Sequence, residues 1–266
     1  MTATHINKWF DLLEASCAQL SITCLDIIID QSGSDTPLLP SVLSVEPAMP
    51  WHSLFTGLPE EGHEDVAPLL VHVDLAQPLQ RQWLIGLMRE LEGRDLLLVL
   101  ASLWPFPLLA KHLGGCVEAS NGGNTGLLRY YDPRLFPLLF SHVLQPDQQQ
   151  RWLRPVVFWS WLDRDGAPIR LSGIAETPAT TNEDLKPIEL TDNQLEIFCC
   201  ASEATILVQD LPPGPGAEQR FQICYAALLE ATAAGVLVDT EREALALVKL
   251  RNAEPGWAQT GRTSHD

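Results

Sequence analysis

Apolar residues in the first two thirds of the chain follow two different periods. Unbroken apolar runs alternate with segments in which apolar residues recur every three or four positions. An unbroken run is typical of a strand buried on both faces, and the longer spacing is typical of an amphipathic helix. The patterns predict strands over residues 22–29, 68–74, 95–102 and 155–162, and helices over residues 9–20, 77–92 and 105–113.

Residues 121–126 (Asn-Gly-Gly-Asn-Thr-Gly) lie between two short segments with strand character, 116–120 and 127–131. Asn and Gly accept positive φ at low cost, so this stretch predicts the turn of a β-hairpin. A phosphate-binding loop is a weaker interpretation, because the Gly-Lys-Ser/Thr ending is missing and no helix follows immediately. Residues 31–50 are rich in Ser, Pro and Gly and predict a loop.

The segment 127–131 runs directly into a predicted helix over residues 133–144. Asp132 places a carboxylate at the N-cap position, and Pro133 suits the first helical position, where no N–H is needed. Arg129 and Arg134 flank this point. On physical grounds alone, the stretch is a well-formed strand-to-helix turn.

The sequence changes character after residue 175. Residues 176–187 are polar and contain proline, as is typical of a linker. Helical patterns then follow, beginning with the capping box Thr191-x-x-Gln194. We therefore predict a mixed α+β fold with a mixed β-sheet flanked by helices in residues 1–175, a linker at 176–187, a small helical lobe at 188–254, and a flexible tail at 255–266.

The net charge of −17 argues against nucleic-acid binding, which requires a basic face. The charge is distributed unevenly: from Glu176 onward 15 acidic residues face 6 basic ones, whereas residues 127–171 carry 6 arginines against 4 aspartates. The acidic C-terminal part would attract a basic partner, although a solubilising surface is the more common explanation of such charge.

No apolar run reaches the roughly 18 residues that a membrane span needs. The first eleven residues lack the basic start and apolar middle of a signal peptide, so we expect a cytoplasmic protein. Six cysteines show no C-x-x-C spacing and are expected to be small apolar residues in a reducing compartment. The adjacent pair Cys199–Cys200 is the one candidate for a redox role among them.

No established catalytic or cofactor motif occurs, and the seven histidines are scattered. His72 falls in a predicted strand and is expected to be structural. Asp163 and Asp165 could be a carboxylate pair, but an Asp-x-Asp-Gly stretch between two strands is more simply explained as a turn. Asp26 and Asp74 lie in or at the ends of apolar strands, where carboxylates of α/β enzymes often sit. The sequence therefore predicts no catalytic residue, no cofactor-binding residue and no metal ligand.

The hydrophobic pair Leu127-Leu128 is followed by Arg129, Tyr130, Tyr131, Asp132, Pro133 and Arg134. This block resembles the signature of the type VI secretion effector adaptors, also called effector chaperones, whose defining domain is catalogued as one of unknown function. Further similar stretches occur in the expected order at residues 22–29, 51–57, 67–71, 111–113 and 155–161. The resemblance covers about residues 22–171, and the helical part after it is similar to the family's more variable second lobe.

The resemblance implies a non-enzymatic cytoplasmic adaptor without a cofactor. Its partners would be a secreted toxin effector and the trimeric spike protein of the type VI secretion system, with no nucleic acid and no membrane span. Specificity would come from an apolar patch with a polar rim, for which tryptophans are candidates. Those considered are Trp51, Trp104, Trp159, Trp161 and Trp257.

Two interpretations of the block remain open: Asp132 caps a helix while an arginine braces the junction, or Arg129 and Arg134 contact the effector. Two other functions also remain open. One is a hydrolase-like α/β enzyme that uses Asp26 or Asp74, and the other is a general protein-interaction scaffold. We further expect the helical lobe after Pro187 to discriminate between effectors, because its composition and negative charge set it apart.

Overall fold

A computed structural model of the chain describes residues 5–178, 185–209, 211 and 216–253. The chain divides into two compact units, Met1–Leu190 and Thr191–Asp266. The predicted tail at 255–266 lies outside the described residues, as does the part of the predicted linker at 179–184. The mixed α+β fold class is confirmed, with two β-sheets and helices in the first unit and three helices described in the second.

Nine strands are described in the N-terminal unit. They are β1 Cys24–Ile29, β2 Trp51–Ser53, β3 Leu69–Asp74, β4 Leu97–Ser102, β5 Glu118–Asn121, β6 Asn124–Leu127, β7 Val156–Leu162, β8 Pro168–Ser172 and β9 Ile188–Glu189. Six form one sheet in the order β2-β3-β1-β4-β7-β8, and three form a small sheet in the order β6-β5-β9. The large sheet is antiparallel throughout, and the parallel pairing is that of β5 with β9.

Nine helices accompany these strands in the described residues. They are α1 His5–Leu20, α2 Leu39–Leu43, α3 Pro78–Glu90, α4 Phe106–Gly114, α5 Phe136–Leu138, α6 Pro146–Leu153, α7 Asp192–Gln209, α8 Ala217–Ala233 and α9 Asp239–Ala253. A π-helical turn, Leu139–Val143, continues α5. The predicted helices at 9–20, 77–92 and 105–113 are therefore present as α1, α3 and α4.

One face of the large sheet carries the main apolar core. Alternate side chains of β1, including Leu25 and Ile27, pack there with buried residues of α1 and α3. Within this layer Trp9 donates its indole N–H to Ser160 Oγ at 2.8 Å, which satisfies a polar group in an otherwise apolar contact. The nearly continuous apolar pattern of β1 and β4 follows from their central position, where both faces are covered.

The opposite face of the sheet is covered by aromatic side chains. Trp159 on β7 is fully buried, and its ring centroid lies 4.8 Å from that of Phe136. The Trp159 indole donates to the Trp152 carbonyl at 3.0 Å, which ties the end of α6 to the sheet. This second layer places the segment around Phe136 directly against the central strands.

The predicted β-hairpin is present, but its turn is shorter than the predicted 121–126, because Asn121 belongs to β5 and residues 124–126 belong to β6. Gly122 and Gly123 form its two-residue turn with φ of +55° and +86°, the conformation that a primed hairpin turn requires. The strand predicted over residues 127–131 is wrong, because β6 ends at Leu127. Tyr130 and Tyr131 have a high strand propensity, which favoured that prediction. In the structure both side chains are buried, but neither residue belongs to a strand.

Two other local predictions need correction. The helix predicted over residues 133–144 is confined to α5 and its π-helical continuation, since residues 132–135 form turns. The loop predicted at residues 31–50 contains a 3₁₀ turn, Gln31–Gly33, and the short helix α2. Proline lies at the second position of both α2 and α5, where the start of a helix tolerates the missing N–H.

The C-terminal unit consists, in its described part, of α7, α8 and α9, with α8 packed against both of the others. The predicted capping box is present: Gln194 N–H donates to Thr191 Oγ1 at 3.3 Å, and Thr191 N–H donates to Gln194 Oε1 at 3.0 Å. Arg242 is 7% exposed and donates to both carboxylate oxygens of Glu203. This pair links α9 to α7 within the unit.

Candidate functional site

Arg129 connects the predicted block to the end of the central strand β1. Its Nη2 donates to Asp30 Oδ2 at 2.7 Å and to Ser32 Oγ at 2.9 Å. The Asp30 side chain is only 2% exposed, and its Oδ1 also accepts from the backbone N–H of Ser32. Burial works to lower the pKa of Arg129, but the charge of Asp30, its hydrogen bond and the nearby Tyr131 and Asp132 together outweigh burial, and the pKa is raised. The guanidinium therefore neutralises a buried carboxylate.

Asp132 and Arg134 form a second ion pair inside the block. The Arg134 guanidinium donates to both carboxylate oxygens, at 2.9 Å and 2.7 Å, in a bidentate arrangement. Asp132 Oδ1 also accepts from the backbone N–H of Arg134 at 2.9 Å. The hydrogen bonds to Asp132 raise the pKa of Arg134. The carboxylate thus caps the turn that leads into α5, one turn before the helix begins.

Tyr130 and Tyr131 anchor the middle of the block. Tyr130 is fully buried, and its hydroxyl donates to the Leu113 carbonyl near the end of α4 at 3.0 Å. Its ring contacts those of Tyr131 and Trp152, each with a centroid separation of 5.8 Å. Burial raises the pKa of Tyr131 to about 12, so both phenols stay neutral at physiological pH.

Residues 128–136, here called the junction, are held from three directions. Arg129 reaches β1, Tyr130 reaches α4, and Phe136 packs on Trp159 of β7. Pro133 is buried as well. The six residues of the block are consecutive in the chain, and the sequence analysis did not identify Asp30, which pairs with Arg129 99 positions away. The available signal was a single carboxylate placed directly after the apolar run Ile27–Ile29.

Asp26 and His72 form a pair on the adjacent strands β1 and β3. They are direct partners in the antiparallel register, and the His72 Nδ1 lies 2.7 Å from Asp26 Oδ1. The hydrogen bond to Asp26 raises the pKa of His72, while burial raises the pKa of Asp26. The His72 ring also packs against Phe106, with centroids 5.6 Å apart. Asp26, the carboxylate proposed for an enzyme, is thus hydrogen-bonded to His72, which the sequence analysis expected to have a structural role.

The remaining candidate groups show no shared centre. Asp74 ends β3 and accepts from the backbone N–H of Ala76, as a turn carboxylate does. Asp163 likewise accepts from the N–H groups of Asp165 and Ala167, so the Asp-x-Asp-Gly stretch is a turn. Within the described ranges no group of three or more His, Cys, Asp or Glu side chains could hold a metal ion.

The cysteines are all free, with Cys199 exposed and Cys200 buried. Cys200 Sγ lies 3.3 Å from an Arg242 nitrogen, in the helix contact of the C-terminal unit. A search of the helices, restricted to the described residues, finds none with the length and apolar character to cross a bilayer.

The five candidate tryptophans separate into distinct environments. Trp159 and Trp161 are buried in the aromatic layer of the sheet. Trp51 is 37% exposed on the edge strand β2. Trp104 is half-buried and lines a cleft of about 700 Å³ in the N-terminal unit. Trp257 lies outside the described residues.

The protein is thus a mixed α+β protein. In its N-terminal unit, Arg129 and Arg134 of the junction each bond a buried carboxylate, that of Asp30 and that of Asp132. Residues 27–151, which are 125 of the 266 residues, match the family model described as "Domain of unknown function (DUF4123)". The match begins in β1, ends in α6 and contains the whole junction with Asp30. No curated protein and no solved structure matches the chain.

Proposed function

We propose that this protein is a cytoplasmic, non-enzymatic adaptor of the type VI secretion system. It binds one secreted toxin effector and presents that effector to the spike protein. The observation that carries the proposal is the match of residues 27–151 to the domain of unknown function, over the same stretch whose motifs resemble the effector adaptors. Adaptors of this kind need binding surfaces held on a rigid framework.

The geometry of the junction supports a structural role for the block. Asp30 and Asp132 are both buried, and each carboxylate is bonded by an arginine of the block. Arg129 and Arg134 keep 43% and 30% of their side chains exposed, so both retain an accessible edge. The first task of these residues is to fix the junction on the sheet, and any contact with the effector would use that outer edge.

The C-terminal unit is the proposed determinant of effector choice. From Thr191 onward the chain carries 11 acidic and 5 basic residues, whereas the match to the family model ends at residue 151. A negatively charged surface selects basic partners and repels acidic ones. Exchanging the helical lobe after Pro187 for that of a related adaptor should transfer effector choice, scored by which toxin co-purifies. Unchanged effector choice would assign specificity to the N-terminal unit instead.

Co-purification tests the adaptor function itself. The tagged full-length chain, isolated from its own bacterium, should bring down a toxin that is also found among the exported proteins. Adding purified spike protein should yield a ternary complex on size-exclusion chromatography. A chain that binds the spike protein and the toxin no better than an unrelated acidic protein would refute the proposal.

The Asp26–His72 pair favours an enzyme as the second candidate. A histidine oriented by a buried carboxylate is the arrangement that general-base catalysis uses. Neither residue lines the 700 Å³ cleft, whose described lining comes mainly from α4, α6 and the segments beside them. If the enzyme interpretation holds, the purified chain should turn over a small-molecule substrate, and His72→Ala should abolish that turnover while the protein stays folded. The adaptor proposal expects export to follow complex formation in that variant.

A further inference from the structure

A groove of about 440 Å³ lies between α3 and the segment formed by α2 and the turn after it. Its lining includes apolar side chains from both sides, among them Val45, which is buried, and Leu79, which is 56% exposed. The lining also contains two carboxylates, Glu46 and Glu90, and no lysine or arginine is among its described residues. The volume lies within the range of about 300–1,000 Å³ found for ligand sites. We call it the acidic groove.

The two carboxylates of the groove lack a cationic partner in the described part of the chain. The arginines in and just after α3, Arg81, Arg89 and Arg94, each bond a side chain that does not line the groove. None of the ion pairs between described residues includes Glu46 or Glu90. Carboxylates in this state beside apolar surface complement a partner that carries both cations and apolar side chains.

Gly86 leaves part of the groove wall without a side chain. It lies in the interior of α3, and a Cβ added at this position would meet nothing within 4 Å. Glycine is less favourable in a helix interior than every other residue except proline, so helix stability does not explain its presence. The missing side chain allows the chain of a partner to approach the α3 backbone closely.

Hydrogen bonds hold the two walls of the groove in place. The indole N–H of Trp83 on α3 donates to Ser41 Oγ on α2 at 2.9 Å. Gln80 on α3 is 4% exposed, and its side-chain amide donates to the Pro47 carbonyl at 2.9 Å. The Gln80 Oε1 in turn accepts from the backbone N–H of Asp74 at 2.8 Å. The groove is therefore preformed, which lowers the ordering cost of binding.

The residues that α3 contributes to the groove define the shape of a matching partner. Leu79, Trp83, Gly86 and Glu90 are spaced by four, three and four positions, which places them on one face of the helix. A helix face of this kind packs against a second helix whose apolar residues recur with the same spacing. The groove therefore suits an amphipathic helix better than an extended chain.

We propose that the acidic groove binds a basic amphipathic helix of the cargo toxin. The apolar residues of that helix pack on Leu79, Trp83 and Gly86, and its lysines or arginines pair with the two carboxylates. This inference rests on the proposed adaptor function and adds the chemistry of the recognised segment. The toxin is the assigned source because the C-terminal unit, with 11 acidic and 5 basic residues from Thr191 onward, also selects a basic partner.

The test measures peptide binding to the purified full-length chain. The probe is the fluorescein-labelled peptide Leu-Lys-Lys-Leu-Leu-Lys-Lys-Leu-Leu-Lys-Lys-Leu, and its control has serine in place of every leucine. Gly86→Arg fills the groove and adds a repelling charge, so it should weaken the probe at least about tenfold. The variant should keep its fold, because the position has room for a Cβ and arginine favours a helix. Gln19→Arg adds the same charge to the exposed end of α1 and should leave the affinity unchanged.

The double variant Glu46→Gln, Glu90→Gln tests the charge separately. It should weaken the probe about fivefold, because two exposed ion pairs are lost. Glu64→Gln, Asp65→Asn removes two exposed charges outside the groove and should change the affinity less than about twofold. Equal effects of the two double variants, native affinity of Gly86→Arg, or equal binding of the leucine and serine peptides would each overturn the proposal. A native dimer that Gly86→Arg converts to a monomer would overturn it too, with a second copy of the chain as the occupant.

Toxin co-purification separates this proposal from the adaptor function. If Gly86→Arg is folded and still retains the toxin in full, the groove is not the contact and the adaptor function stands. If the peptide binds as described but no exported toxin depends on the chain, the groove stands as a helix-binding site and the adaptor function falls.

Discussion

The junction and the cleft of about 700 Å³ beside Trp104 each contain two arginines, which they use in opposite ways. At the junction the carboxylates of Asp30 and Asp132 are 2% and 5% exposed, and an arginine of the block bonds each of them. In the cleft the pair of Arg154 with Glu176 is about half exposed on both sides. One region buries its charges to hold a chain segment in place, and the other leaves them in contact with solvent.

This difference separates the two regions by their effect on stability. Removing one partner of a buried ion pair leaves an uncompensated charge, which is strongly destabilising. Removing one partner of an exposed pair has little effect on stability, because water replaces it. Substitutions at the junction should therefore act on folding, and substitutions in the cleft should change stability little.

The largest effect is expected from Tyr130→Ala. The side chain is fully buried among aromatic rings, so its loss should cost about 3–5 kcal/mol of unfolding free energy, as for other large aromatic truncations. Tyr130→Phe keeps the ring and removes only the hydrogen bond to Leu113, which should cost about 1 kcal/mol. Urea denaturation measures both. Equal stability of the alanine variant and the native chain would show that the junction does not hold the fold.

Asp132→Ala should have the next largest effect, about 2 kcal/mol, because the turn loses its cap and Arg134 loses its bidentate partner. Thermal unfolding followed by circular dichroism detects the change. Arg134→Ala keeps the backbone hydrogen bond to Asp132 but leaves this buried carboxylate without its arginine, so it should destabilise the fold by a comparable amount. A stable Arg134→Ala protein that no longer binds toxin would instead assign this arginine to the contact surface.

Acidity should affect the Asp26–His72 pair. The hydrogen bond to Asp26 raises the folded-state pKa of His72 above its ordinary 6.5, and Asp74 adds to the effect. The stabilisation is therefore complete below the ordinary pKa and is lost as pH rises through the folded-state pKa. The stability difference between the native chain and His72→Gln should shrink as the pH rises above 6.5, the ordinary pKa of histidine. A difference that grows over this range would contradict the assigned pair.

The smallest effect on stability is expected in the cleft. Arg154→Gln should change the unfolding free energy by no more than about 0.5 kcal/mol, because both members of its ion pair are exposed. The same denaturation experiment checks it against Arg89→Gln as a matched helix-end cation. A loss comparable to that of Asp132→Ala would mean that the cleft is part of the framework, and the contrast between the two regions would fail.

The sequence predicted the framework of the N-terminal unit where one local signal was sufficient. The apolar runs at β1, β3, β4 and β7 and the amphipathic patterns of α1 and α3 required no tertiary information. The conformation of the junction could not be predicted in this way. Two tyrosines in an apolar context favour a strand, and the contacts that hold Tyr130 and Tyr131 outside a strand are not visible in the sequence. The partner of Tyr130 is a carbonyl of α4, and only the folded chain brings the two together.

The candidate site divides along the same line. The six-residue block was recognised by its local sequence, and its internal pair of Asp132 with Arg134 spans two positions. Asp30 was not predicted to belong to the site, because its partner Arg129 lies 99 positions away in the sequence. The cleft of about 700 Å³ was not predicted either. The excess of arginine over residues 127–171 is visible in the sequence, but the position of a cleft depends on which helix ends lie close together in the fold.

Export by the bacterium that encodes the chain tests the central claim most directly. Deleting the gene should stop release of one toxin while the inner-tube protein of the secretion machine still reaches the medium, and the native chain should restore release. If every toxin is exported at unchanged levels without this chain, the adaptor function is contradicted.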